Sequence, residues 1–195
     1  MIKQIFTALV MTTLVGSASL ATASDCVWPY VGVIGGASVS QGTSLNLSTG
    51  YAAGGVAGVE FCNAHVEAEV AYRSNKIDEV NSVKSGGDIS VLSYLVNGYY
   101  EFDVNSKVWR PYAGVGAGLA TAELSGLTIG GVPVSSGPRD TRFAYQGIAG
   151  VGFYVTKHIV LDASYRYFST LRYQFDSLST SYSTHNVLLG ARLRF

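Results

Sequence analysis

Three histidines, His65, His158 and His185, are where acid–base or metal chemistry would begin in this chain. Ser183 stands two positions before His185, and Asp176 lies a little earlier. Serine, imidazole and carboxylate make a nucleophile, a base and an orienting group when they come within hydrogen-bond reach. On an extended strand Ser183 and His185 leave the same face. The same spacing also describes the polar end of a strand, which is the blander reading and the one preferred. The cysteine and histidine spacings of a zinc site are not seen, nor is a phosphate-binding glycine loop. The glycine pairs Gly35-Gly36, Gly54-Gly55 and Gly130-Gly131 read as strand kinks and loop flexibility. The expectation is therefore no catalytic, metal or cofactor-binding residues and no enzymatic activity.

A second set of chemically interesting residues is charged. Glu60, Glu67, Glu69, Arg73, Glu101, Arg110, Asp162, Arg166, Arg192 and Arg194 recur in stretches that otherwise alternate apolar and polar. In the stretch from His65, Val66, Ala68, Val70 and Tyr72 oppose His65, Glu67, Glu69 and Arg73. From Leu161, Leu161, Ala163, Tyr165 and Tyr167 oppose Asp162, Ser164 and Arg166. Such alternation is the signature of a strand with two unlike faces. The last stretch, Ser183 to Phe195, is longer than the 5–6 residues or so usual in soluble sheets. It suits the roughly 9–11 residues of a tilted strand crossing a bilayer.

Eight strands follow from the turn signals: about Pro29–Val39, Tyr51–Phe61, His65–Arg73, Ile89–Phe102, Trp109–Ala122, Thr141–Val155, Ile159–Phe168 and Ser183–Phe195. The links alternate. Those at 62–64, 103–108 and 156–158 are short, and those at 40–50, 74–88, 123–140 and 169–182 are long. An even-stranded meander puts short and long links at opposite ends, as in outer-membrane barrels with short periplasmic turns and long outer loops. The fold predicted is all-β: an eight-stranded antiparallel up-and-down transmembrane β-barrel, with both termini periplasmic. Closure is demanded because an open sheet edge cannot sit in hydrocarbon. Periodicity alone does not say which face is inside; a soluble secreted ligand-binding barrel would invert it. Aromatics near strand ends (Phe61, Tyr72, Phe102, Trp109, Phe143, Phe153, Tyr167 and Phe195) favour the membrane, where such rings form interfacial girdles.

In that barrel the ten charged residues point inward. An eight-stranded interior is about filled by side chains. Buried charges of both signs must pair or be hydrated. The residues thus read as a plug of ion pairs, with a narrow porin-like channel through the same network as the alternative. Gly114, Gly116 and Gly118 leave space inside for water or for long arginines opposite.

The amino-terminus carries Lys3, an apolar run from Ile5 to Val15, and Ala21-Thr22-Ala23. These are the parts of an export signal at 1–23, leaving a barrel domain at 24–195. Charged residues are only 13% of the chain, against about 25% in soluble domains. Lys+Arg and Asp+Glu are 13 each, so no clustered basic surface for nucleic acid is expected. In an oxidising compartment Cys26 and Cys62 can pair, since both map beside neighbouring strands at one end; two free thiols are the alternative. In the last long loop Tyr173, Phe175 and Tyr182 are candidate partner contacts, exposed aromatics being favoured at interfaces, or else a continuation of the girdle.

Three stretches carry a resemblance. Pro111-Tyr112-Ala113-Gly114-Val115-Gly116-Ala117-Gly118 is similar to the P-Y-x-G-x-G-x-G strand of small outer-membrane barrels. Leu161-Asp162-Ala163-Ser164-Tyr165-Arg166-Tyr167 resembles the L-D-A-x-Y-R-Y strand of opacity-type surface proteins. Leu189-Gly190-Ala191-Arg192-Leu193-Arg194-Phe195 looks like their closing G-x-R-x-x-F strand. The resemblance is to opacity-like and OmpA-like eight-stranded barrels, sometimes called porin-family proteins, of the Gram-negative outer membrane. It implies an integral surface antigen in outer-membrane lipid, loops available for adhesion to host surface molecules, and Phe195 as the terminal signal read by the barrel-assembly machinery. Lipid A deacylases of similar size use a His-x-Ser pair; here that triplet is His185-Asn186-Val187, without the serine.

Overall fold

The computed structural model describes residues 27–40, 45–47, 49–80, 83–106, 108–129, 132–133, 140–171, 173–175, 178–180 and 182–195. Eight long strands make the barrel: β1 Val27–Ser40, β2 Gly50–Phe61, β3 Ala64–Val80, β4 Val83–Glu101, β5 Trp109–Ile129, β6 Asp140–Tyr154, β7 Ile159–Thr170 and β8 Ser183–Arg194. Each pairs antiparallel with its neighbours in sequence. The register of β1 on β8, from Tyr30 opposite Arg194 to Ser40 opposite Thr184, closes the ring. Beyond the last strand, the Phe195 amide donates to the Pro29 carbonyl at 2.9 Å.

Side chains alternate about this wall. On β4, Ser93, Leu95, Asn97, Tyr99 and Glu101 are buried while Tyr94, Val96 and Tyr100 are exposed. On β7, Val160, Asp162, Ser164, Arg166 and Phe168 are buried while Leu161, Tyr165 and Tyr167 are exposed. The exposed set is apolar and the buried set carries the charges. A water-soluble barrel needs the reverse, so the soluble ligand-binding alternative fails on its faces; this is the membrane arrangement. The eight aromatics named from the sequence as girdle residues are all on the exposed face.

One end has short links: Cys62-Asn63, residues 102–108, and 155–158. Cys62 takes a left-handed φ of 53° in the two-residue turn, and Asn105 one of 56°. The other end differs from expectation. Strands β3, β4 and β5 run well past Arg73, Ile89 and Ala122, into what the sequence suggested were loops. One reason is visible in the register: Lys76 faces Asp88. Opposite charges on facing positions stabilise a ribbon, so two charges that read as loop stand opposite each other in a strand pair. Short strands Leu45–Leu47 and Val132–Pro133 add to β3 and β5, and Tyr173–Phe175 pairs with Leu178–Thr180. The expected export signal at 1–23, Cys26, and Asp176 lie outside the described residues.

Candidate functional site: the barrel interior

The lumen is organised in three layers. At mid-height sits Glu69 on β3, 1% exposed. Its carboxylate accepts from Arg166 of β7 at 2.5 Å, Arg73 at 3.4 Å, Asn97 of β4 at 2.8 Å and Gln146 of β6 at 2.9 Å. Arg73 also donates to Ser93 Oγ at 2.6 Å and lies 4.1 Å over the Phe168 ring. Two residues along β3, Glu67 accepts from the hydroxyls of Tyr30 and Tyr99 at 3.0 and 2.6 Å. Asn97 reaches both carboxylates, its Nδ2 lying 3.2 Å from Glu67. Charges buried this deeply persist only with such partners.

Toward the short-turn end a second layer centres on Arg192 of β8. Its guanidinium grips Asp162 with two hydrogen bonds, 2.7 and 2.9 Å. This planar fork is the geometry that arginine, and not lysine, provides. A third N–H donates to His65 Nδ1 at 3.1 Å. Glu101 accepts from Tyr154 Oη at 2.8 Å and faces His65 Nε2 at 3.1 Å, with Arg192 and Arg110 each 3.7 Å away. Arg194 donates to Glu60 at 3.1 Å and stacks 4.8 Å over Trp28. A cavity of about 20 Å³ separates the two layers, lined by Tyr30, His65, Glu67, Tyr99, Asp162 and Arg192 among others. That is room for about one water.

The third layer, toward the long-loop end, is apolar: Ile89, Val91, Leu95, Ala120, Ala122, Ala144, Phe168 and Tyr182. Tyr182 is 3% exposed and donates to Asn75 Oδ1 at 2.8 Å. This corrects the expectation of Tyr182 as an exposed loop contact: its ring turns into the lumen and packs edge-on against Phe168. For Tyr173 and Phe175 the backbone is a two-stranded ribbon, and their side chains lie outside the described residues.

Of the ten charged residues, nine are buried in the lumen; Arg110 stands at the short-turn rim with its side chain 39% exposed. The glycines of β5 make room for polar side chains and not for arginines. A Cβ on Gly116 would land on Asn97 Oδ1, and one on Gly114 would meet the Tyr99 ring at 2.5 Å. Tyr30, Asn97, Gln146 and Tyr154 were not singled out as site residues, although period-two counting from Glu101 reaches Asn97 and Tyr99. The apolar layer was missed because the inward face was read as polar throughout.

The hydrolytic constellation is not assembled among the described residues. Ser183 Oγ pairs with Ser169 Oγ at 2.9 Å, while His185 hydrogen-bonds Tyr165 Oη on the outer wall. His158 Nδ1 lies 3.0 Å from the Arg194 carbonyl and its ring packs on Trp28. Cys62 is exposed, and Val27 and Phe61, the residues that flank Cys26 and Cys62 on the strand side, are paired in register.

Comparison with known proteins agrees with this architecture. A family model described as "Outer membrane protein beta-barrel domain" matches residues 7–195. "Outer membrane protein PagN" of Salmonella typhimurium is 40% identical over 85 residues, covering 40% of this chain and 34% of that protein. "Opacity protein opA67" of Neisseria gonorrhoeae is 27% identical over 159 residues, covering 68% of this chain and 66% of that protein. Among solved structures, Neisserial surface protein A superposes with a TM-score of 0.61 at 22% identity, covering 86% of this chain and 97% of that one. That likeness is one of fold.

Proposed function

The chain belongs to the outer membrane protein beta-barrel domain family, and we propose that within it the chain is a non-enzymatic surface protein whose long-loop end contacts molecules on other cells. The observation that carries this reading is the filled lumen. Two layers of paired charges and an apolar layer of Ile89, Leu95, Phe168 and Tyr182 occupy the bore. A filled bore favours a surface protein over the narrow channel, and leaves the strand extensions of β3, β4 and β5 and the ribbon at 173–180 as the working surface. The resemblance to opacity proteins supports a host surface molecule as partner. On this reading the short-turn end, with both termini, faces the periplasm, and Phe195 serves barrel assembly.

The test displays the full chain on a non-adherent bacterium and measures attachment to cultured epithelial cells. Replacing 173–180 by a short Gly-Ser turn is expected to abolish attachment, with the barrel's heat-sensitive gel mobility unchanged. Equal attachment with and without that ribbon, or discrete conductance steps from the unmodified barrel in planar bilayers, overturns the proposal.

A further inference from the structure

Three strands bring a nitrogen and two oxygen donors together just inside the short-turn rim. Glu60 on β2 and His65 on β3 are directly paired in register, and Glu101 follows on β4, its amide donating to the Asn63 carbonyl at 2.7 Å. One ligand atom from each of Glu60, His65 and Glu101 lies within 4.8 Å of the other two. All three residues are buried, at 3%, 2% and 1% exposure.

The ion-pair network does not use these donors fully. Arg194 engages Glu60 through Oε1. Glu60 Oε2 is buried with no hydrogen-bond partner, and His65 Nε2 has Glu101 Oε1 3.1 Å away as its ion-pair partner. A buried carboxylate oxygen without a donor costs about 1–3 kcal/mol or more, so Glu60 Oε2, beside the His65–Glu101 pair, points to a missing partner. The imidazole is also oriented. Arginine only donates, so Arg192 at His65 Nδ1 leaves Nε2 as the atom facing the carboxylates. Tyr30 and Tyr99 hold the ring edge-on from both sides, with centroids 6.0 and 6.3 Å away.

We propose that Glu60, His65 and Glu101 form a binding site for one divalent transition cation, zinc or a metal of similar preference, inside the short-turn mouth of the barrel. One imidazole and two carboxylates suit such an ion. In binding, the His65 proton shifts from Nε2 to Nδ1, Arg192 gives up that contact and keeps its fork on Asp162, and the cation takes the freed Nε2 lone pair and Glu60 Oε2 without displacing Arg194 from Oε1. The site rests on the buried cluster alone and is independent of any loop partner.

The experiment titrates zinc alone into the folded barrel in detergent micelles by calorimetry, in a His158→Gln/His185→Gln background that removes the two other histidines. One site per barrel is expected to persist in that background. Glu60→Gln is expected to weaken it about ten-fold or more, the scale of loss on removing a group that supports a site. Because a buried substitution can fail to fold, the His65 imidazole NMR signals of the unsubstituted barrel are followed in parallel. They are expected to shift on zinc addition ahead of those of His158 and His185. No binding in the His158/His185 background, equal binding in Glu60→Gln, or an unmoved His65 signal overturns the site.

Discussion

Replacing Glu69 by glutamine keeps the side chain's shape and removes its charge, which isolates what the carboxylate does for the barrel. Glu69 is the partner of two buried guanidiniums, Arg166 at 2.5 Å and Arg73 at 3.4 Å. Hydrogen bonds to charged groups contribute about 1.5–3 kcal/mol each. Two of them set a loss of about 3–6 kcal/mol, and breaking a buried pair from one side costs about 3–5 kcal/mol for the charge left behind. The expected destabilisation of Glu69→Gln is therefore about 4 kcal/mol. The assay is urea unfolding in lipid vesicles, followed by fluorescence of Trp28 and Trp109, with the gel mobility of boiled and unboiled samples as a check on closure. A lower midpoint at unchanged slope reports lost stability and not a changed end state. Combining Glu69→Gln with Arg166→Gln is expected to cost less than the two single losses added, with a coupling of about 1–3 kcal/mol. Arg110→Gln at the exposed rim serves as the control, with an expected loss below about 1 kcal/mol. Should Glu69→Gln also lose less than about 1 kcal/mol, the interior charges are hydrated and the argument from buried pairing is wrong.

Other outcomes follow from single positions. Gly116→Ala drives a methyl onto Asn97 and is expected to cost about 1–3 kcal/mol, whereas Gly98→Ala has nothing within 4 Å and is expected to be neutral in the same unfolding assay. Val33, 65% exposed on the outer wall, is expected to lose about 2–4 kcal/mol on change to arginine if it lies near the bilayer midplane, as vesicle refolding yields will register. Non-reducing peptide mapping is expected to recover Cys26 linked to Cys62, because the residues flanking them, Val27 and Phe61, are paired; alkylatable thiols at both positions would refute it. Phe168→Ala strips the ring from Arg73 and opens the apolar layer, with an expected loss of about 3–5 kcal/mol by the same urea midpoint.

The wall of the barrel was legible because its signal is local. Alternation from Leu161 to Tyr167 assigns each residue to a face without knowing what the strand pairs with. The inward charges were legible for the same reason. Which arginine meets which carboxylate was not: Arg166 and Glu69 lie on strands far apart in sequence, and only the closed ring puts them at one height. The strand ends were misjudged where charge alternates across a ribbon, since Lys76 and Asp88 read as loop until they are placed opposite each other. Tyr182 reads as a surface aromatic from its neighbours Ser181 and Ser183, but its destination is set by Asn75 and Phe168 across the bore. Sequence alternation does not carry information across the lumen.

The seam between β1 and β8 also sets a rule for biogenesis. Tyr30 finds Arg194 only after nearly all of the described chain lies between them. Contacts so distant in sequence form slowly, and unpaired strand edges invite wrong partners in the meantime. Until β8 arrives, β1 and β7 each present a bare row of amides and carbonyls that hydrocarbon does not tolerate. A nascent or clipped product ending before Ser183 thus has no seam to close and no stable place in the bilayer. The ring acts as its own proofreader: a chain without its last strand leaves the edges of β1 and β7 bare in hydrocarbon.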